Sequence, residues 1–277
     1  MNIPEIIIGL TVVAAGTSAP ELFVSLVSAL KGTPDMAMGN VVGSNTMNCM
    51  LIVGSAAMVA PMTISRSTVH KDIPFSVGAS VLLIILSFNA FLGRIDGIIL
   101  LLGFAAFMYY TLSQAKKGSV EAQETLKQVS PWLSAFFVLL GLALLVAGSN
   151  IFVDAASKVA YALGLSEGVV GLTIVAGGTS LPELATSVVA AHKGQSAIAI
   201  GNVIGSNVFN ILLILGLTAT ISPMAIQGIT LVDMGMMLGS VSLVWLFSYT
   251  RYTVERWEGT LLVGGYLAYL GWLLSNI

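Results

Sequence analysis

Gly16-Thr17-Ser18-Ala19-Pro20-Glu21, followed by Gly39-Asn40-Val41-Val42-Gly43-Ser44-Asn45-Thr46-Met47-Asn48, decides the fold because the chain carries it twice. In the second half it returns as Gly178-Thr179-Ser180-Leu181-Pro182-Glu183 with Gly201-Asn202-Val203-Ile204-Gly205-Ser206-Asn207-Val208-Phe209-Asn210. The stretch from Gly9 to Asn48 overlays that from Gly171 to Asn210 without a gap, and roughly 24 of about 40 positions are identical. Each copy puts a carboxylate, hydroxyls and a proline inside an apolar span. A carboxylate there is costly, so two at matching positions point to one ion site built from both halves.

Working outward, the 277 residues are 56% hydrophobic and only 9% charged, far from the balance of a soluble domain. Runs long enough to cross a bilayer fall at 3–30, 36–60, 74–92, 95–114, 131–161, 167–192, 197–221, 229–249 and 257–274, which predicts an all-α, polytopic membrane protein of about nine transmembrane helices. If the N-terminus starts on side A, that side's loops hold Arg66, Lys71, Lys116, Lys117, Lys127, Lys193, Arg251 and Arg256, against Lys31, Arg94 and Lys158 on side B. The positive-inside rule therefore makes side A cytoplasmic. The basic residues form no patch for nucleic acid, and Pro4, Glu5 and Glu21 argue against a signal peptide. Cys49, the only cysteine, permits no intrachain disulfide and no thiolate metal cluster, and reads as a small packing residue.

Residues 1–114 form the first repeat, 115–130 a cytoplasmic linker and 131–277 the second repeat. The linker is the most polar stretch, and the charges of Lys116, Lys117, Glu121, Glu124 and Lys127 suit a short solvated helix. Five spans separate the starts of the two blocks, so they enter the membrane from opposite sides and the repeat is inverted, as in secondary transporters. The helix at 131–161, with Asp154, has no counterpart ahead of the first block, because Met1 aligns with Leu163. Equal halves normally carry equal elements, so either translation begins at Met1 and the first half has one helix fewer, or Met1 lies inside a longer reading frame, and the second is expected.

Pro20 and Pro182 lack an amide hydrogen and clash with the preceding turn, which loosens each helix near Gly16 or Gly178 and releases backbone oxygens. Irregular backbone inside a membrane survives only in protein or beside a wet cavity. Thr17 and Glu21 lie at i, i+4; Ser18, Glu21 and Ser25 share a face; Ser44 and Asn48 are again i, i+4. Thr179, Ser180, Glu183, Ser187, Ser206 and Asn210 repeat the set. Such an all-oxygen shell suits calcium or sodium and not zinc or copper. Two ionised glutamates balance one divalent cation. The Gly39/Gly43 and Gly201/Gly205 pairs also fit close helix packing. Asn40, Asn45, Asn202 and Asn207 read equally as interhelical bonds or ligands. His70 and His192 fall at loop edges, and Asp154 suits pairing with a base.

At these residues the chain resembles the sodium/calcium exchanger family of the cation/calcium antiporter superfamily, above all its prokaryotic ten-helix members. That resemblance implies a transporter and not an enzyme: a calcium-for-sodium antiporter of the cell (inner) membrane, working by alternating access between inverted repeats, with no cofactor. Its partners would be calcium and sodium ions and the lipid bilayer; no protein partner follows from the sequence. By resemblance, Glu21 and Glu183 are central ligands, Thr17, Ser18, Thr179 and Ser180 supply hydroxyls or carbonyls, and Ser44, Asn48, Ser206 and Asn210 complete the shell. Some members carry an acid where Asn210 stands, so this site has two carboxylates. The family's alternating access uses two long sliding helices, of which only 131–161 is present. The alternatives are a proton/calcium or other divalent-cation antiporter and a truncated, poorly active membrane protein.

Overall fold

The computed structural model describes residues 4–117 and 131–275, and all but four two-residue strands of its regular structure is helical. In chain order the helices are α1 (Glu5–Thr17), α2 (Ala19–Leu30), α3 (Pro34–Val59), α4 (Thr68–Leu86), α5 (Arg94–Lys117), α6 (Pro131–Leu163), α7 (Glu167–Thr179), α8 (Leu181–His192), α9 (Ser196–Ile221), α10 (Leu231–Arg251) and α11 (Arg256–Ser275). Five of them, α3, α4, α5, α9 and α10, are long and apolar enough to cross a membrane. The pairs α1–α2 and α7–α8 each make one broken span, bent by 44° and 48°. That makes five candidate spans, or seven with each bent pair counted as one, among the described residues; α6 and α11 are helices at the other two expected positions, 131–161 and 257–274. The linker expected at 115–130 lies outside the described residues beyond Lys117.

Two antiparallel strand pairs show the inversion. The loop after α3 (Met62–Thr63, β1) pairs with the loop between α10 and α11 (Thr253–Val254, β4); the loop after α9 (Met224–Ala225, β3) pairs with the loop between α4 and α5 (Phe91–Leu92, β2). Each half thus ties off the other at opposite ends of the bundle.

Burial sorts the helices. In the apolar windows of α3 and α9, 83% and 89% of residues are buried, against 22% for α5. A helix apolar all round but enclosed by protein belongs at the centre. Close approach is made possible by glycine. A methyl group built on Gly43 would stand 2.5 Å from the Leu172 carbonyl oxygen, and one on Gly205 would stand 2.8 Å from that of Leu10. Helix α3 of the first half therefore lies against α7 of the second, and α9 against α1, through the small residues at spacing four.

Candidate cation site

The proline effect is visible, displaced by two residues from the glycines. Ser18 (φ −83°, ψ 5°) and Ser180 (φ −86°, ψ 6°) leave helical geometry and separate the paired half-helices. The ladder stops with Ser18 N–H to Ala14 O at 2.9 Å and resumes with Leu22 N–H to Ser18 O at 3.1 Å; Ser180 to Ala176 (3.0 Å) and Leu184 to Ser180 (3.1 Å) repeat this. The carbonyls of Ala15, Gly16 and Thr17, and of Gly177, Gly178 and Thr179, fall in the two gaps, where Pro20 and Pro182 have no proton to give.

Both glutamates are wholly buried, and each is held by the other half. Ser18 donates to Glu183 Oε1 and Ser180 to Glu21 Oε1, both at 3.1 Å; Ser206 lies 3.5 Å from the same Glu183 oxygen. Of the hydroxyls or carbonyls expected from Thr17 and Thr179, the hydroxyls are engaged within the protein. Thr17 donates to Asn202 Oδ1 (3.1 Å) and Thr179 to Asn40 Oδ1 (3.0 Å), each also reaching a carbonyl one turn back. Asn40 and Asn202 in turn donate to Ser25 (2.9 Å) and Ser187 (3.0 Å) and to the backbone oxygens of Glu21 and Glu183. These asparagines brace the glutamate turns. The signal available in the sequence was their matched place on a polar stripe of a central helix.

Of the ten candidate residues, five present a buried oxygen with no hydrogen-bond partner in the protein: Glu21 Oε2, Glu183 Oε2, Ser44 Oγ, Asn48 Oδ1 and Asn210 Oδ1. A buried polar atom without a partner costs about 1–3 kcal/mol, more if charged. Four of the five come from matching positions of the two halves, Glu21 with Glu183 and Asn48 with Asn210, and oxygen atoms of this kind are the ligands that a hard cation takes. Among the described residues no three of His, Cys, Asp or Glu gather to bind a soft metal. Exposed His70 and His192 stand apart, His70 against Tyr249 and Tyr252. Asp154 pairs with Lys31 at 2.7 Å. Cys49 packs as expected but also accepts from Asn207 Nδ2 at 3.0 Å. A cavity of about 200 Å³ between α2, α6 and α7, lined by Pro20, Val24, Phe152 and Gly178, reaches Thr179.

Nothing in the hydrophobic pattern marks π-helical turns, yet Gly9–Val13, Asn48–Ile52, Gly171–Val175 and Phe209–Leu215 are all wound i→i+5. Two of these include the candidate residues Asn48 and Asn210. Such turns often sit at functional positions.

Sodium/calcium exchanger proteins match the chain over residues 1–113 and 133–275, which takes in both halves of the site. The chain belongs to this family. The exchanger is 36% identical over 284 residues to the inner membrane protein YrbG of Escherichia coli, spanning 98% of this chain and 87% of that one. It is 32% identical over 311 residues to the sodium/calcium exchanger MaX1 of Methanosarcina acetivorans, covering 98% and 89%. Among solved structures, the sodium-calcium exchanger NCX_Mj soaked with 2.5 mM Na+ and 1 mM Sr2+ superposes with a TM-score of 0.75 at 31% identity, over 98% of this chain and 87% of that one. The protein is thus a multi-pass membrane cation/calcium exchanger with inverted repeats, and its family consists of transporters and not enzymes.

Proposed function

We propose that the protein exchanges calcium for sodium across the cell (inner) membrane by alternating access, with the 115–130 linker in the cytoplasm and Glu21 and Glu183 as the central ligands. The carrying observation is the set of five unpartnered buried oxygens on Glu21, Glu183, Ser44, Asn48 and Asn210. Ser18, Ser180 and Ser206, with the released carbonyls of Thr17 and Thr179, complete the shell. The names of MaX1 and NCX_Mj support the choice of ions, and that of YrbG supports the membrane.

Two carboxylates neutralise one Ca2+. Once calcium leaves, two like charges remain desolvated a short way apart, which is unfavourable until sodium ions take its place. The loaded states are the ones that reorient, and that condition is exchange. Helix α6 is the moving element: it packs on α2 and borders the cavity that reaches Thr179.

Purified protein in sodium-loaded liposomes should take up radiolabelled calcium when external sodium is removed. Glu21→Gln and Glu183→Gln should each abolish that uptake, and uptake unchanged by both substitutions refutes the site. Uptake driven by a pH gradient in the absence of sodium would instead assign a proton as the counter-ion.

A further inference from the structure

Asn45 and Asn207 lie three residues before Asn48 and Asn210, on the central helices α3 and α9, and both are 2% exposed. A carboxamide donates at one end and accepts at the other, so one fixed neighbour decides which end faces where. Asn45 Nδ2 donates to the backbone oxygen of Asn207 at 3.2 Å, with Met237 Sδ 4.0 Å away. A backbone oxygen and a thioether only accept. The nitrogen of Asn45 is therefore held on that side and its oxygen on the other, where it receives Asn210 Nδ2 at 2.9 Å. Asn210 must then present Oδ1 at its free end, and that atom is unpartnered.

The other half repeats the relay with a different anchor. Asn207 Nδ2 donates to Cys49 Sγ at 3.0 Å, Asn207 Oδ1 receives Asn48 Nδ2 at 3.0 Å, and Asn48 Oδ1 is left unpartnered. Each relay crosses the repeat boundary: an asparagine of one half fixes the terminal amide of the other.

We propose that Asn45 and Asn207 are positioning residues for the cation, Asn45 acting through Asn210 and Asn207 through Asn48, by keeping amide nitrogens turned away and amide oxygens exposed to the ion. This rests on the cation site proposed above. Without the relay, either amide could turn its NH2 into the site, where it would repel a cation and satisfy the glutamate oxygens that the cation needs. The two anchors differ in strength. A carbonyl cannot donate, whereas a thiol can do both, so the Asn210 amide is the more firmly set.

The test is calcium binding to the purified full-length protein, measured by equilibrium binding of radiolabelled calcium with sodium competition. Asn45→Leu and Asn207→Leu should each weaken calcium binding by about 10-fold, the loss seen when groups that orient metal ligands are removed. Because Asn45 acts through Asn210, adding Asn45→Leu to Asn210→Ala should cost nothing further, whereas adding it to Asn48→Ala should multiply the losses. The pattern should invert for Asn207→Leu. Cys49→Ala should weaken binding by about 3-fold, as expected for one neutral hydrogen bond, and Cys49→Ser should restore it. A merely structural role would show no such crossed pairing. Wild-type affinity in both leucine variants, or coupling within one helix instead of across the repeats, overturns the proposal. If the leucine variants do not fold, the Cys49 pair decides, and equal affinity in Cys49→Ala and wild type overturns it. A wild-type protein that binds neither calcium nor sodium overturns the cation site and the relay together.

Discussion

Replacing Gly43 or Gly205 by alanine drives a wedge between the two repeats. A methyl carbon on Gly43 would lie 2.5 Å from Leu172 O, 2.7 Å from Ala176 Cβ and 2.8 Å from Leu172 Cα; on Gly205 it would lie 2.7 Å from Ala14 Cβ and 2.8 Å from both Leu10 Cα and Leu10 O. Carbon–oxygen contacts of this kind sit at about 3.3–3.6 Å and carbon–carbon contacts at about 3.5–4.0 Å. Helix α3 must therefore retreat from α7, or α9 from α1, by about 0.7–1 Å, since the obstructing atoms are mostly backbone and cannot swing aside. Overpacking on this scale costs about 1–3 kcal/mol, which for a chain of this length lowers Tm by about 3–10 °C. Ser44 and Ser206 are the next residues along and move with the helix. Calcium–oxygen bonds span only about 2.3–2.6 Å, so a shift of that size removes a ligand and should weaken calcium binding by about 10-fold or more. The controls are Gly235→Ala and Gly239→Ala on α10, where a methyl group meets nothing within 4 Å and helix propensity favours alanine by about 0.5–1 kcal/mol. Thermal unfolding in detergent and calcium uptake into liposomes measure both effects. If Gly43→Ala and Gly205→Ala match the controls in Tm and uptake, the repeats do not meet through these glycines.

Tyr269→Phe removes the donor to buried Asp233 Oδ1 (2.7 Å) and should cost about 1.5–3 kcal/mol by thermal unfolding, with maximal uptake retained, because this pair closes the start of α10 away from the glutamates. Lys31→Ala should change stability by less than about 1 kcal/mol, since its ion pair with Asp154 joins side chains that are 33% and 60% exposed; a larger fall in Tm would show that the pair fastens α6 to α2. Thr17→Val and Thr179→Val should reduce calcium affinity to similar extents, because each deletes the same bond to Asn202 or Asn40, and a large difference between them in equilibrium binding would refute the equivalence of the two halves.

The inverted repeat, the helical nature of the apolar runs and the burial of Glu21 and Glu183 were legible because each rests on a property one residue carries into any surroundings. A proline cannot donate, and a carboxylate in an apolar run needs a partner. The roles of Thr17, Thr179, Asn40 and Asn202 were not legible. A hydroxyl one turn from a glutamate can face the ion or the neighbouring helix, and only the crossing of α3 with α7 and of α9 with α1 brings Asn40 to Thr179 and Asn202 to Thr17. The π-helical turns escaped for another reason: at that length, a hydrophobic pattern wound i→i+5 looks the same as one wound i→i+4. A lone cysteine in the sequence shows only that Cys49 can pack and cannot form an intrachain disulfide; its acceptance of the Asn207 amide depends on a contact between helices of different repeats.

These crossed contacts also constrain how such a site can open. Ser18 to Glu183, Ser180 to Glu21, Thr17 to Asn202, Thr179 to Asn40, Asn48 to Asn207 and Asn210 to Asn45 are six side-chain hydrogen bonds, every one of them between repeats. Parting the repeats would break them all, at about 0.5–1.5 kcal/mol each or about 3–9 kcal/mol together, before counting the close glycine packing. Helix α6 takes part in none of these six bonds; among the described residues it is held by apolar packing of Phe152, Val153 and their neighbours, by Lys31 Nζ donating to Asn150 O at 3.2 Å and by a surface ion pair that contributes at most about 1 kcal/mol. Movement of α6 would therefore leave all six bonds of the core intact, as the proposed mechanism requires. In the proposed mechanism a cation held between Glu21 and Glu183 would tighten the same core from both sides, so occupancy would keep the core closed while α6 moves over it.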